Sequence, residues 1–506
     1  MKLSIDINSI GFVGFLVVAL VVYYCTPKKY RYLSLLATSL ISAFIISHFY
    51  ALFIIFSALT IYFGGIILNK INASFLALDK VEQKTQKASY KTRKRFVLAV
   101  IIILNILILA FLKYYNPIAK AFALPTLNLL LPLGISYYTL EAISYITDVY
   151  RGKHSADNNP FRVLLFLTFF PKMTLGPIGQ YHQLKDTLFA PNIVNYYELR
   201  RGAVLILYGL FKKMVIADRL GIAVDFIYQQ NLSGFSYLFA MLAYAIQIYM
   251  EFSGCIDIVK GASSMFGVKV KENFNQPFFA VSIQDFWRRW HISLGDWLKE
   301  YIFYPVSISK INTKISAVIR KVFPKNFAQF IIIAIPLLFV WLVNGIWHGA
   351  GSKYILYGLY YYAVIMIGVL FTPISMKIIA KLKLDHLFLF KIFRIIRTFL
   401  LILVGFSIFR APSFTYPFQK LLGDYQGLTI FTNNFDIKDL ILVGVTLIPI
   451  FVISVLKEHK IDVLTQLEKQ HLIIRWLCYY LLILAIIIFG IYGEGFSPKD
   501  FIYGGF

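Results

Sequence analysis

Phe330-Ile331-Ile332-Ile333-Ala334-Ile335-Pro336-Leu337-Leu338-Phe339-Val340-Trp341-Leu342-Val343 contains no charged residue. With its flanks, Phe327 to Trp347, it matches the roughly 20 mostly apolar residues that carry a helix across a bilayer core. Comparable blocks recur along the chain: Phe96 to Leu112, Tyr354 to Phe371 and Leu440 to Leu456 hold no charge either. Composition agrees. Of 506 residues, 59% are hydrophobic and 15% charged, whereas soluble domains carry about 25% charged residues. The expected fold is all-α: one polytopic integral membrane domain that crosses the bilayer about 11 or 12 times, with re-entrant and interfacial helices besides. Residues 1–506 are expected to form that domain, with N-terminal helices in 1–130, a central core in 131–412 and C-terminal helices in 413–506.

The formal net charge is +25. No compact basic domain is present to hold nucleic acid, so no nucleic-acid partner is expected. In a membrane chain, cytoplasmic loops accumulate Lys and Arg. Lys28, Lys29 and Arg31 follow the first apolar block. Lys70, Lys80, Lys84, Lys87, Lys91, Arg93, Lys94 and Arg95 follow the third. These clusters lie two helices apart, hence on one side, which is the cytoplasm; Lys321 belongs there too, and the N-terminus lies outside. The first block lacks a basic leader and reads as a retained helix. Phe161 to Ile178 is broken by Pro171, Lys172, Gly176 and Pro177. Such backbone survives at membrane depth only where protein or water satisfies it, so the piece reads as re-entrant. Lys212 and Lys213 weaken a span at Val204 to Ile216. Tyr237 to Phe252 is clearer, and Ser253 to Asn326 is the longest stretch without a clean span. Cys25, Cys255 and Cys478 make neither a disulfide framework nor a metal spacing, and no His pair has zinc spacing, so no metal is expected.

Two histidines stand out. In Phe286-Trp287-Arg288-Arg289-Trp290-His291-Ile292-Ser293-Leu294, helical spacing puts Phe286, Trp287, Trp290, Leu294, Trp297, Leu298 and Tyr301 on one face, which His291 shares. Asp285, Arg288, Arg289, Asp296 and Lys299 fall opposite, and Asp285 is placed to pair with Arg289 at i,i+4. The pattern describes one amphipathic helix in the membrane interface, where a His is either functional or an interfacial residue like its Trp neighbours. The second site, Asn344-Gly345-Ile346-Trp347-His348-Gly349-Ala350-Gly351, closes the block quoted above. An ionisable residue in a span is costly and marks function by default. The glycines leave room for backbone or ligand; the competing explanation is a His at a helix end, with glycines packing helices. Asp257, after Phe252-Ser253-Gly254, is a lone acid, either an ion-pair partner or a site residue. His48, His154, His182, His386, His459 and His471 read as solvated surface. No internal repeat and no buried carboxylate pair is evident in the spans, which argues against a non-catalytic transporter.

Further stretches join these two in order: Leu133-Gly134-Ile135-Ser136-Tyr137-Tyr138, Asp148-Val149-Tyr150-Arg151-Gly152, Phe170-Pro171, Gly176-Pro177-Ile178, Phe211-Lys212-Lys213, Ala217-Asp218-Arg219, Asn273-Phe274-Asn275-Gln276-Pro277-Phe278 and Phe409-Arg410-Ala411-Pro412. Together they resemble the membrane-bound O-acyltransferase family, in its bacterial alginate O-acetyltransferase-like branch, over roughly Leu133 to Pro412. Departures from that branch are Glu251, Gly295, Lys299, Glu300, Val306, Ser307 and Tyr361.

The resemblance implies acyl transfer from a cytoplasmic thioester donor, acetyl-CoA or an acyl carrier, to an envelope polysaccharide. His348 matches the family's catalytic histidine and His291 its second functional position. The chemistry fits, because an imidazole with pKa near 6.5 takes the proton of an attacking hydroxyl. Asn344 and Trp347 are oxyanion-donor candidates by sequence proximity; Trp290, Arg289 and Asp257 join them near the donor path. No bound cofactor is implied. The partners implied are membrane lipid and a separate extracytoplasmic acyl-handling or transferase protein, and the location is the cytoplasmic membrane. D-alanyl transfer to teichoic acid is the nearest alternative. The Arg288-Arg289 doublet and the chain length look more like acetyl transfer.

Overall fold

The computed structural model describes residues 9–129, 131–132, 134–425, 427–432 and 435–492. Leu133 and residues 1–8, whose side of the membrane was read above, lie outside them. Regular structure among the described residues is helical, with two isolated bridges, Phe274 to Trp290 and Thr432 to Phe435. In chain order the α-helices are α1 Ile10–Cys25, α2 Arg31–Ser47, α3 Ala51–Leu76, α4 Lys80–Ala121, α5 Ile135–Arg151, α6 Pro160–Thr168, α7 Phe170–Met173, α8 Tyr181–Leu188, α9 Tyr196–Leu210, α10 Asp218–Gln229 and α11 Gly234–Met265. Then come α12 Ile283–Arg289, α13 Ile292–Leu298, α14 Tyr304–Ser307, α15 Lys310–Val322, α16 Lys325–His348, α17 Ser352–Lys381, α18 Phe388–Arg410, α19 Tyr416–Leu421, α20 Ile437–Glu458, α21 Val463–Glu468 and α22 Leu472–Phe489. Eight helical stretches among the described residues are long and apolar enough to cross a membrane, the first of them holding both α2 and α3. The chain is an all-α polytopic membrane protein.

Two compact units divide the chain. The first holds the described residues up to Ile206 with Cys255–Lys271, and the second holds Leu207–Gly254 and the described residues from Glu272. In the first unit α3, α4 and α5 pack on one another. Asn105 on α4 is buried, and its amide donates to Thr60 Oγ1 on α3 at 3.0 Å. The broken piece expected at Phe161 to Ile178 is α6 and α7, too short to cross. Lys172 there is buried, 2.5 Å from Glu141 on α5, whose other oxygen accepts from the Gly179 N–H at 2.7 Å.

In the second unit α9 passes into a π-helical turn, Phe211–Ala217, before α10. Such wide turns recur at functional or strained points of helices. Here the turn carries Lys212, which donates to Ser253 Oγ at 2.9 Å, and Lys213, which lies 2.7 Å from Asp218 and 3.4 Å from Glu251. The lysines that weakened this span in the sequence are thus buried and satisfied. The expectation of no buried carboxylate pair is overturned by Glu141 with Lys172 and by Lys213 with Asp218 and Glu251. Burial tolerates these charges because each carboxylate has an ammonium partner. Glu251 was not read as paired because Lys213 lies far off in sequence, and Asp218 because an i,i+5 spacing brings the two side chains together only through the wide π-helical turn.

Ser253 does not end its span, as the sequence reading had it. α11 continues to Met265, because Ser253, Gly254 and Cys255 are packed and not solvated. α16 and α17 form an antiparallel hairpin around Gly349-Ala350-Gly351. A methyl on Gly345 would strike the Tyr354 carbonyl, and one on Gly358 would strike the Trp341 carbonyl. Two bare α-carbons therefore let these helices approach closely, and that approach positions Trp341 and Asn344.

Candidate active site

Phe286 to Tyr301 is not one helix. Ser282 caps α12 by accepting from the Asp285 N–H, and Asp285 pairs with Arg289 at 3.0 Å as its spacing implied. The helix then stops, because residues 273–275 take its backbone groups. Asn275 N–H donates to Arg289 O at 2.9 Å, and Ile292 N–H donates to Asn273 O at 3.0 Å. Trp290 becomes extended, and His291 turns to φ 46°, ψ 52°, before α13 begins. That left-handed conformation costs a non-glycine residue roughly 1–2 kcal/mol, and such backbone clusters at functional sites. The alternative of His291 as an interfacial residue fails too. Trp290 and His291 are buried, His291 to 3% exposure, among Phe252, Phe274, Phe286 and Phe406.

The surroundings of His291 define its proton. Asn273 Oδ1 accepts from the Ser293 N–H at 3.0 Å. A backbone N–H only donates, so that atom is the amide oxygen. His291 Nδ1 lies 3.3 Å from the same oxygen; Nδ1 therefore carries the hydrogen, and the neutral ring keeps its lone pair on Nε2. Burial pushes the imidazole down to about 3, so His291 is neutral at physiological pH.

His348 ends α16 and is 2% exposed. Its ring meets Trp347 at 4.9 Å, Phe409 at 5.2 Å and Tyr357 at 5.8 Å between centroids. Trp347 also meets His291 at 6.1 Å. One indole thus touches both imidazoles, which come from positions far apart in the chain.

A cavity of about 550 Å³ opens beside His291, lined by Trp287, Trp290, His291, Trp341 and Asn344, with the exposed Arg288 and Lys299 and the half-buried Asp296 at its rim. The indole N–H groups of Trp287 and Trp341 have no hydrogen-bond partner among the described residues and lie buried behind the cavity surface. Two cations against one acid at the rim suit an anionic ligand.

Of the residues singled out from sequence, His291, Trp290 and Asn344 line this cavity. Trp347, in contact with His291, and His348 are not among the lining residues. Arg289 does not: its guanidinium is taken by Asp285 and by Glu458 at 2.6 Å, and Arg288 stands at the rim instead. Asp257 belongs to the first unit and is not among the lining residues. Trp287, Trp341 and Asn273 were missed as site residues. Tyr361, a departure from the branch pattern, backs the wall, 4.8 Å from Trp287 and stacked 5.4 Å from Trp341. Among the described residues no three His, Cys, Asp or Glu side chains gather as a metal site.

Comparison with known proteins follows the same line. The model of MBOAT, the membrane-bound O-acyltransferase family, matches residues 75–320. The chain is 33% identical over 330 residues to the peptidoglycan O-acetyltransferase of Helicobacter pylori, a match covering 58% of each chain. It thus spans little over half of that protein's length. It is 32% identical over 440 residues to the probable alginate O-acetylase AlgI of Pseudomonas syringae pv. tomato, covering 81% of this chain and 74% of that one. Over 250 residues it is 33% identical to the teichoic acid D-alanyltransferase of Bacillus subtilis, covering 48% of this chain and 60% of that one. An all-α membrane chain with this likeness belongs to the membrane-bound O-acyltransferase family.

Proposed function

We propose that this O-acyltransferase takes an acetyl group from acetyl-CoA at the cytoplasmic face and moves it across the membrane for O-acetylation of a cell-envelope polysaccharide, an alginate-like exopolysaccharide or peptidoglycan. The carrying observation is the pairing of two buried imidazoles on one indole, Trp347, with one imidazole on a cavity. Acetyl-CoA is a substrate here, and no resident cofactor enters the reaction. The cationic rim, Arg288 and Lys299, suits the phosphates of the donor. Asn344, which lines the cavity, suits a donor carbonyl.

His348 is the proposed base. It takes the acceptor's hydroxyl proton as that oxygen attacks the thioester carbon. The tetrahedral intermediate then collapses, the C–S bond breaks, and the thiolate leaves as a stable anion. His291 has a different part. An imidazole held near 3 is a poor proton acceptor at neutral pH, but its Nε2 lone pair receives a hydrogen bond, so it orients the donor. Asn344 donates to the developing oxyanion.

General-base removal costs about 10²–10⁴-fold in rate, so His348→Ala is expected to lose acylation by at least about 100-fold while remaining inserted at the normal level. Mass spectrometry of envelope glycans, at matched protein level, reads this. Normal acetylation in the variant would remove His348 from the reaction. The likeness to the Bacillus subtilis protein keeps D-alanyl transfer as a second reading; the mass of the group added to the envelope polymer separates the two.

A further inference from the structure

We propose that α15, Lys310–Val322, is an in-plane membrane anchor that binds anionic lipid headgroups. At helical spacing its residues sort into three stripes. Asn312, Ser316 and Ile319 are buried, on the side where α15 leans on α14 and α16. Ile311, Ile315, Val318 and Val322 form a second stripe, all exposed, Ile311 by 73% and Val322 by 66%. Lys310, Lys314 and Lys321 form the third, directly beside the apolar one and opposite the buried one. Arg320 adds a fourth cation, and the helix contains no acid.

Connectivity fixes what meets these stripes. Only Phe323 and Pro324 separate α15 from α16, which is long and apolar enough to cross the membrane. Two residues reach about 7 Å, so α15 stays at the membrane boundary. A helix there with an exposed aliphatic stripe lays it among the acyl chains, while adjacent lysines rise to headgroup level. Unopposed lysines at that level attract anionic headgroups over zwitterionic ones, within a Debye length of the surface. The inference stands apart from the acyl-transfer reading, since it uses none of the cavity residues.

Fluorescence in nanodiscs tests it. Full-length protein with Cys25→Ser and Cys478→Ser, which removes the exposed thiols, receives Ile315→Cys and an environment-sensitive dye. Nitroxide-bearing phosphatidylglycerol should quench the dye several-fold more than nitroxide-bearing phosphatidylcholine at equal mole fraction. The triple variant Lys310→Gln, Lys314→Gln, Lys321→Gln should bring the two lipids level. Raising salt in the unmutated helix should do the same, which covers the case of a variant that folds poorly. Equal quenching by both lipids before any change would overturn the headgroup preference. A dye reached by acrylamide from water but by neither lipid, or shielded from all three by protein, would overturn the anchor itself.

Discussion

At the scale of single residues, Asn273 decides what His291 is. Its oxygen is identified by the Ser293 N–H, and that identity puts the proton of His291 on Nδ1. Removing the acceptor frees both tautomers and leaves buried donors unsatisfied, at about 1–3 kcal/mol each. Asn273→Ala is therefore expected to lower kcat more than it lowers the amount of folded protein. Asn273→Asp gives a sharper outcome. A carboxylate beside the ring favours its charged form and raises the imidazole towards its ordinary 6.5. In the unchanged protein His291 is neutral down to about 3, so it contributes no limb to the activity profile between pH 5 and 8. In the Asp variant His291 becomes protonated as pH falls below about 6.5, and activity should fall with it, recovering at alkaline pH. A pH–rate series on matched preparations reads the difference. A new limb on the alkaline side, or none, would remove Asn273 from the positioning role.

At the scale of elements, the α16–α17 hairpin holds the cavity wall through contacts of bare backbone. Gly358→Ala places a methyl against the Trp341 carbonyl, and overpacking of this kind costs about 1–3 kcal/mol. The expected result is a lower thermal midpoint and a loss of activity beyond the loss of folded protein, because Trp341 shifts. Gly444→Ala on α20 is the control. Nothing lies within 4 Å of the added methyl, and alanine favours a helix over glycine by about 1 kcal/mol, so stability should hold or rise. A similar drop in both variants would show that helix glycines matter here for some reason other than this contact. Elements of this kind divide into those a sequence declares and those it does not. Apolar blocks such as Phe330 to Val343 and the i,i+4 pair of Asp285 and Arg289 depend only on neighbours, and they were legible. The break at His291 was not. The apolar period runs unbroken through it, with no Gly or Pro from Phe286 to Leu294, and the turn is imposed by residues 273–275 across a bridge. The stripe on α15 lay in plain view, at Ile311, Ile315, Val318 and Val322, but basic residues around it drew the reading towards a loop. The site followed the same rule. Its imidazoles were visible as costly residues, while Asn273 and Trp341 acquire their parts only through contacts made in the fold.

At the scale of the whole molecule, the cavity beside His291 suits the proposed acyl donor, whereas a long glycan needs a wider surface. By the orientation read from the basic loops, the segment between α18 and α20 is the largest on the outer side. It does not stand away as a module. Tyr416, Ile430 and Ala411 are buried in a cluster with Ile227, Tyr237, Ala240 and Met241 of the same unit. What is left exposed is a short surface, and independent folding below about 40 residues is rare without staples. The segment therefore caps the unit's own core and offers no independent polysaccharide-binding domain. On the proposed function, a polymer is held by another protein while its hydroxyl receives the acyl group, and an extracytoplasmic acyl-handling or transferase partner is expected. Proteoliposomes containing only this protein, with acetyl-CoA on the cytoplasmic face, should leave polymeric glycan on the other face nearly unmodified. Adding the envelope fraction of a strain that lacks this protein but retains its partners should raise acetylation, and His348→Ala in the liposomes should abolish that rise. Full-rate acetylation of polymer by the protein alone would mean that the capped surface near α19 binds glycan directly, and the partner would be unnecessary.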